Sequence, residues 1–301
     1  MFHSVWLCRA ISLFTKRAGE QDGSNVCRPH AWFLGSAVFH YLGPAFAVLL
    51  FAAMQPLGVA WLRILTAAAI FATWRKPWRS WHLWDRSTRW TVGLLALVLA
   101  TMNSVFYLAI DRLPLGTVAA IEFVPVIILA AIAVRTGRNL AALALAFAGV
   151  YLLTDIQLTR SPLGLVFAGC NALLFAAYII CAHRVAQRST SSIDALAMAM
   201  LGASLFALPV GIGAAESALT DPRLLLAAAG VGICSSVIPY VCDQMAMRRL
   251  SRGAYALMVS LLPATATVVG LVILRQIPHP LEIVGIGLVV AGVALHRDHQ
   301  T

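Results

Sequence analysis

The sequence predicts an all-α polytopic membrane protein with ten transmembrane helices arranged as two inverted five-helix repeats. Of its 301 residues, 60% are hydrophobic and 11% are charged, whereas soluble domains carry about 25% charged residues. Apolar runs of roughly 20 residues recur from Ala31 to the end of the chain, and each is about long enough to cross a ~30 Å hydrocarbon core. The connections are short, so consecutive helices must lie antiparallel. Five spans per half then force the two halves to be inverted.

The candidate spans are 32–53, 57–73, 90–110, 116–134, 139–154, 162–182, 195–215, 224–245, 253–274 and 281–296. They divide the chain into a cytoplasmic N-terminal tail (1–31), a first repeat (32–154), a second repeat (162–296) and a short C-terminus (297–301). The tail has no apolar core long enough for a signal peptide.

The distribution of positive charge predicts the orientation. With a cytoplasmic N-terminus, 17 of the 22 Lys and Arg residues fall in inner segments and 4 in outer connections, while Arg63 lies inside a span. Cytoplasmic loops are enriched in Lys and Arg, so both termini are predicted to be cytoplasmic, in the inner membrane. Tryptophans typical of an interfacial aromatic belt flank the inner segment between spans two and three: Trp74, Trp78, Trp81, Trp84 and Trp90.

Internal similarity supports the repeat weakly. Pro125 in span four corresponds to Pro263 in span nine, and "AGV" at 148–150 then corresponds to "AGV" at 291–293. Inverted repeats are common in secondary transporters, whose substrate site lies near the midplane between the halves.

Several function classes are excluded. The formal net charge is +10, but the basic residues lie in gaps between apolar runs, so we expect no nucleic-acid partner. The six cysteines lack metal-ligand spacing, and we expect no disulfide, metal or cofactor. No P-loop or hydrolase motif occurs in a usable context, which argues against a pump or an enzyme.

Two ionisable residues inside predicted spans are candidates for a substrate site. Glu122 has no charged neighbour within nine positions on either side. Arg63 lies about six residues from the outer end of span two, roughly 9 Å deep, and Glu122 lies at a similar depth in span four. Three interpretations are open: a fixed ion pair that holds the packing, a polar cavity where Arg63 meets the carboxylate and Glu122 the ammonium of a zwitterion, or snorkelling to the interface.

Further polar residues lie in other spans. Asp243, near the inner end of span eight, is either an interfacial partner of nearby arginines or a substrate or proton site. His40 in span one is either an interhelical hydrogen-bonding residue or a proton relay. Uncharged candidates that either bind substrate or hold helices together are Asn103, Tyr107, Asn171 and Tyr178.

Three segments resemble the EamA-type drug/metabolite transporters, and among these the threonine/homoserine exporter branch. They are "VAWLRILTAAAIFATWRKPW" (59–78), "MNSVFYLAIDRLPLGTVAAIEFVPVIILA" (102–130) and "SSVIPYVCDQMAMRRLSRGAYALMVSLLPATATVVG" (235–270). The resemblance covers about residues 32–296 and implies an inner-membrane exporter of amino acids or related small metabolites. The residues at its motif positions are Arg63, Asn103, Tyr107, Glu122 and Pro125.

The second half departs from the family pattern. Leu262-Pro263 stands where the family typically has Glu-Pro, and Arg275-Gln276 where it often has Gly-Glu. Asp243 is then the acid that remains in this half. The leading hypothesis is a secondary exporter of small, amino-acid-like metabolites in the lipid bilayer. The alternatives are an exporter of drugs or other hydrophobic amines, and a non-transporting sensor or assembly factor. Proton coupling and a homodimer stay open.

Overall fold

The computed structural model describes residues 28–125, 128, 136–188, 192–239, 242 and 262–295, and every regular element among them is a helix. Within this part of the chain, four helices are long and apolar enough to cross a membrane: Pro56–Arg75, Arg86–Ile110, Pro162–Val185 and Ile193–Ala214. Shorter apolar helices accompany them. The all-α prediction is confirmed, while the number of ten spans stays a prediction.

A described helix lies in each predicted span, and these helices are numbered α1 to α10. They are α1 (Arg28–Leu50), α2 (Pro56–Arg75), α3 (Arg86–Ile110), α4 (Leu115–Glu122), α5 (Gly137–Arg160), α6 (Pro162–Arg188), α7 (Ser192–Ala214), α8 (Pro222–Gly232), α9 (Leu262–Leu274) and α10 (Pro280–Leu295). Two short helices, Trp78–Trp81 and Glu216–Thr220, lie in connections.

Local chemistry sets several helix ends. The Asp85 side chain accepts a hydrogen bond from the Thr88 N–H at the start of α3, and Asp221 caps α8 in the same way. These carboxylates satisfy backbone donors that have no partner inside the helix. Lys76, with φ 49°, ends α2 in the left-handed conformation that commonly terminates helices.

Two helices are less regular than their predicted spans. Helix α4 ends at Glu122, and after a turn at Phe123 the chain is helical again at Val124 and Pro125. Pro125 follows shortly after, and proline removes a backbone donor and clashes with the preceding turn. Helix α8 continues as a π-helical turn, Ile233–Val237, ahead of Pro239. Residues 240–241 and 243–261 lie outside the described residues, and so does the predicted site residue Asp243.

Helices of the two halves pack directly on each other. The main pairs are α2 with α7, α3 with α6 and α7, α5 with α10, and α9 with α1 and α4; α8 with its π turn packs on α1 and α2. Exchanging α1–α5 with α6–α10 reproduces these pairs, with the α9–α1 pair becoming the contact of α4 with α6. The division into two inverted repeats stays a prediction. Polar side chains of both halves therefore meet in the interior.

Candidate functional site

Glu122 is a buried acid in the first half of the chain. It is the last residue of α4 and only 7% exposed. Its Oε1 accepts a hydrogen bond of 3.0 Å from Nδ2 of Asn171, which is fully buried on α6. Two residues predicted from the sequence are thus joined across the interface between the halves.

Arg63 on α2 reaches the π turn of the second half. Its Nε donates to Ser236 Oγ at 3.0 Å, and its Nη2 donates to the Ser235 carbonyl at 3.2 Å. An α-helix would pair that carbonyl with the N–H four residues later, but this position is Pro239, which has none. The helix irregularity therefore supplies an acceptor that fixes the guanidinium, whose carbon also lies 5.6 Å from the centre of the Tyr107 ring.

Arg63 and Glu122 do not form the ion pair that the sequence allowed. Within the part of the chain that the structure describes, no carboxylate lies within 4.0 Å of the Arg63 nitrogens. The reason is the helix arrangement: α2 packs on α7 and α8, whereas α4 packs on α9 and α6. Arg63 still acts electrostatically on Glu122. The two charges are held apart, each by neutral hydrogen-bonding groups.

Helix α1 adds two aromatic side chains to this polar cluster. Tyr41 is 1% exposed. The partly buried His40 ring meets the Tyr41 ring edge-on, with centroids 5.2 Å apart, and it interacts electrostatically with Arg63. The sequence prediction included His40 but missed Tyr41. The only available signal was a tyrosine beside a histidine in an apolar run.

Close packing holds α1 against the π turn. A Cβ atom added to Gly43 would lie 2.3 Å from Ser235 Cβ and 2.7 Å from its Cα. Such distances are far inside van der Waals contact, so only glycine allows this approach. The residue keeps the aromatic pair of α1 next to the serines that bind Arg63.

Several polar atoms of the cluster lack partners. Among the described residues, no hydrogen-bond partner reaches Tyr41 Oη or Asn171 Oδ1. The Tyr107 hydroxyl lies near Arg63 and Ser235 without a well-formed hydrogen bond to a described residue. A buried unsatisfied polar atom costs about 1–3 kcal/mol, and such atoms are uncommon in folded proteins. Together with a carboxyl and a guanidinium, they can donate to and accept from a small polar ligand.

The other predicted residues contribute less directly. Asn103 is buried, but its Nδ2 donates to the Leu99 carbonyl of its own helix at 2.7 Å. Tyr178 stacks on Phe175 with centroids 6.0 Å apart, and Phe175 in turn contacts Phe123, the residue after Glu122. Asn103 is thus satisfied locally, and Tyr178 belongs to an aromatic layer beside the acid.

Two buried acids of the second half were missed by the sequence prediction. Asp194 binds Arg75 Nε at 2.8 Å and Ser80 Oγ at 2.9 Å, which joins the ends of α2 and α7. Glu282 is 2% exposed and accepts the His279 N–H at 2.9 Å at the start of α10. Their positions at the first turns of helices were the available signal, because acids there cap or complement helix N-termini. They are structural acids outside the central cluster.

Comparisons with known proteins agree with this architecture. Residues 162–297 match the EamA-like transporter family. The threonine/homoserine exporters RhtA of Escherichia coli K12 and of Salmonella typhimurium SL1344 are each 27% identical over 257 residues, which cover 83% of this chain and 84% of theirs. A protein crystal structure with 17% identity has a similar fold, with a TM-score of 0.58 over 88% of this chain and 96% of that one.

The apolar helices, the family match and these relatives together establish a multi-pass membrane protein. The predicted resemblance to the EamA-type transporters is confirmed. Residues 162–297 match the EamA-like transporter family, and over most of its length the chain is similar to the threonine/homoserine exporter RhtA.

Proposed function

We propose that the protein is a secondary transporter that exports small zwitterionic metabolites of the amino-acid class from the cell, threonine and homoserine being the first candidates. The observation that carries the proposal is the separation of Arg63 and Glu122. Each is fixed by neutral groups, Ser235 and Ser236 for the arginine and Asn171 for the acid. An unpaired cation and an unpaired acid in one buried cluster match the two charges of an amino acid.

The proposed binding mode assigns one role to each group. Arg63 binds the substrate carboxylate, because a guanidinium presents several donors in one plane. Glu122 binds the ammonium group. The unsatisfied Tyr41 Oη and Asn171 Oδ1 serve the remaining polar groups of the solute. Their desolvation cost in the free protein is then recovered on binding, which favours a polar ligand over an apolar one.

Irregular helices at the cluster are consistent with transport. Helix α4 ends at Glu122 and the π turn of α8 carries Ser235 and Ser236. Transporters typically build substrate sites from discontinuous helices at the interface of their repeats. We further propose that the two halves rock about this cluster to expose it to either side of the membrane.

The function is tested by export of labelled threonine and homoserine from cells with and without the gene, followed by a broader metabolite screen. We expect faster efflux of at least one amino-acid-like solute when the gene is present. Unchanged efflux for every solute at verified expression would refute the transporter proposal. Selective efflux of hydrophobic amines would replace the amino-acid class by the drug class.

The proposed orientation has its own test. With both termini cytoplasmic, the connection between α2 and α3 (residues 76–85) faces the cytoplasm. A cysteine placed at exposed Leu83 should resist a membrane-impermeant thiol reagent in intact cells and react after permeabilisation. Labelling in intact cells would contradict the orientation.

A further inference from the structure

A groove separate from the polar cluster runs between α3 and α7, next to the connection between α2 and α3. Its volume is about 620 Å³. One end is basic and aromatic, with Trp81, Arg86, Arg89 and Trp90, and the rest is largely apolar, with Gly93, Leu94, Leu97 and Phe206. None of these residues contacts the Arg63 and Glu122 groups described above. The division into a charged and an apolar end is that of an amphipathic ligand.

The basic end carries cationic groups that are available to a ligand. Arg86 is exposed and makes no hydrogen bond or ion pair with a described residue. The Arg89 guanidinium lies 5.6 Å from the Trp81 ring centre and donates weakly to the His82 carbonyl at 3.5 Å. The neighbouring Asp85 is engaged as the cap of α3. The N-terminus of α3 adds partial positive charge at the same place, so this end favours an anion.

The apolar end can accommodate hydrocarbon. Leu94, Leu97 and Phe206 are 48%, 47% and 51% exposed. A Cβ atom added to Gly93 would meet nothing within 4 Å, so the groove is open there. Trp90, 71% exposed, stands between the two ends, as tryptophan does at the boundary between headgroups and acyl chains.

We propose that this groove binds one anionic phospholipid, with the phosphate between Arg86 and Arg89 and an acyl chain along Leu94, Leu97 and Phe206. Charge complementarity selects this occupant. A second copy of the chain would bring like-charged arginines together across a two-fold interface, and a zwitterionic lipid brings its own cation to the phosphate. Basic pockets between transmembrane helices are suited to anionic headgroups. The lipid belongs to the leaflet on the side of the connection between α2 and α3, which is the cytoplasmic leaflet in the predicted orientation.

The test titrates the purified full-length protein in detergent with phosphatidylglycerol and, in parallel, with phosphatidylcholine of the same chains, and counts bound lipid by native mass spectrometry. We expect one preferred phosphatidylglycerol. Removing each arginine should weaken phosphatidylglycerol binding about fivefold, so Arg86→Gln should lose about fivefold and the double variant Arg86→Gln with Arg89→Gln about 25-fold. Arg86→Gln by itself is informative, because this side chain has no described contact that folding could require.

Two further variants separate charge from shape. Arg79→Gln removes an exposed arginine of the same connection that does not line the groove, and it should bind phosphatidylglycerol as the parent does. Gly93→Leu fills the apolar end without altering charge and should weaken binding at least fivefold.

Four results would each overturn the proposal: equal binding of both lipids, an Arg86→Gln variant that binds like Arg79→Gln, full competition by glycerol phosphate, or a change in oligomeric state of the groove variants without loss of lipid. The last would identify a second copy of the chain as the occupant.

Discussion

Replacing Glu122 by glutamine removes the charge of the central acid while keeping its shape. The glutamine carbonyl oxygen can still accept the 3.0 Å hydrogen bond from Asn171. The weaker neutral bond costs about 1 kcal/mol, and this cost is offset because a neutral amide is easier to bury than a carboxylate. The amount of folded protein in the membrane should therefore be unchanged. Transport should change strongly, since a charged hydrogen bond to a substrate ammonium is worth about 1.5–3 kcal/mol.

That free energy corresponds to a rise of about 10- to 150-fold in the substrate concentration that gives half-maximal flux. The measurement is uptake of labelled threonine or homoserine into proteoliposomes over a range of concentrations, at matched protein content. Glu216→Gln is the matched control, because Glu216 is exposed on the short helix between α7 and α8. A Glu122→Gln variant with the concentration dependence of the parent would show that the acid holds helices together and does not contact the substrate.

Three further substitutions test the surroundings of the site. Arg63→Lys keeps the charge but loses the planar donors that bind Ser235 and Ser236, so the half-saturating concentration should rise about tenfold at normal expression; an unchanged value would contradict the assigned role. Asp194→Asn breaks the pair with Arg75, which is 33% exposed, and should lower the free energy of unfolding by about 1 kcal/mol in detergent melts. Asp111→Asn, at the exposed pair with Arg112, should have no measurable effect on the free energy of unfolding. If Asp111→Asn and Asp194→Asn lowered that free energy equally, the result would argue against a special role for Asp194. Gly43→Ala forces α1 from the π turn and should cost about 1–3 kcal/mol, whereas Gly35→Ala, with open space around it, should not destabilise; similar stability of the two would refute the packing argument.

The fold class could be predicted from composition because membrane-spanning helices have a distinctive hydropathy. A span needs about 20 apolar residues with few charges, and that property is local, so helices such as α2 and α3 were located to within a few residues. Helices α4 and α8 were less well predicted. The hydrophobic run continues through Glu122 and Ser235, so it cannot reveal where Pro125 or Pro239 interrupts the regular hydrogen bonding.

The sequence predicted which polar residues lie in the buried cluster better than it predicted their contacts, and their role in binding stays a proposal. A charge in a span is costly enough to mark Arg63 and Glu122 individually, and the polar residues Tyr107 and Asn171 were found by the same reasoning. Which partner each charge has depends on which helices touch. The equal depth of Arg63 and Glu122 in the membrane suggested that they pair with each other. Depth does not specify where two residues lie within the plane of the membrane, and that position decides whether they touch.

Hydropathy and charge in the sequence were enough to predict a helical chain that lies in a membrane, with a cation and an acid inside its spans. Those properties depend on solvation, which each residue experiences largely independently of its distant neighbours. Three features could be read only from the folded chain: Asn171 contacts Glu122, Ser235 and Ser236 contact Arg63, and the buried Tyr41 hydroxyl has no hydrogen-bond partner among the described residues. These contacts depend on the packing of α2 on α8 and of α4 on α6, and packing is set by surface shapes at sites such as Gly43, which hydropathy does not describe.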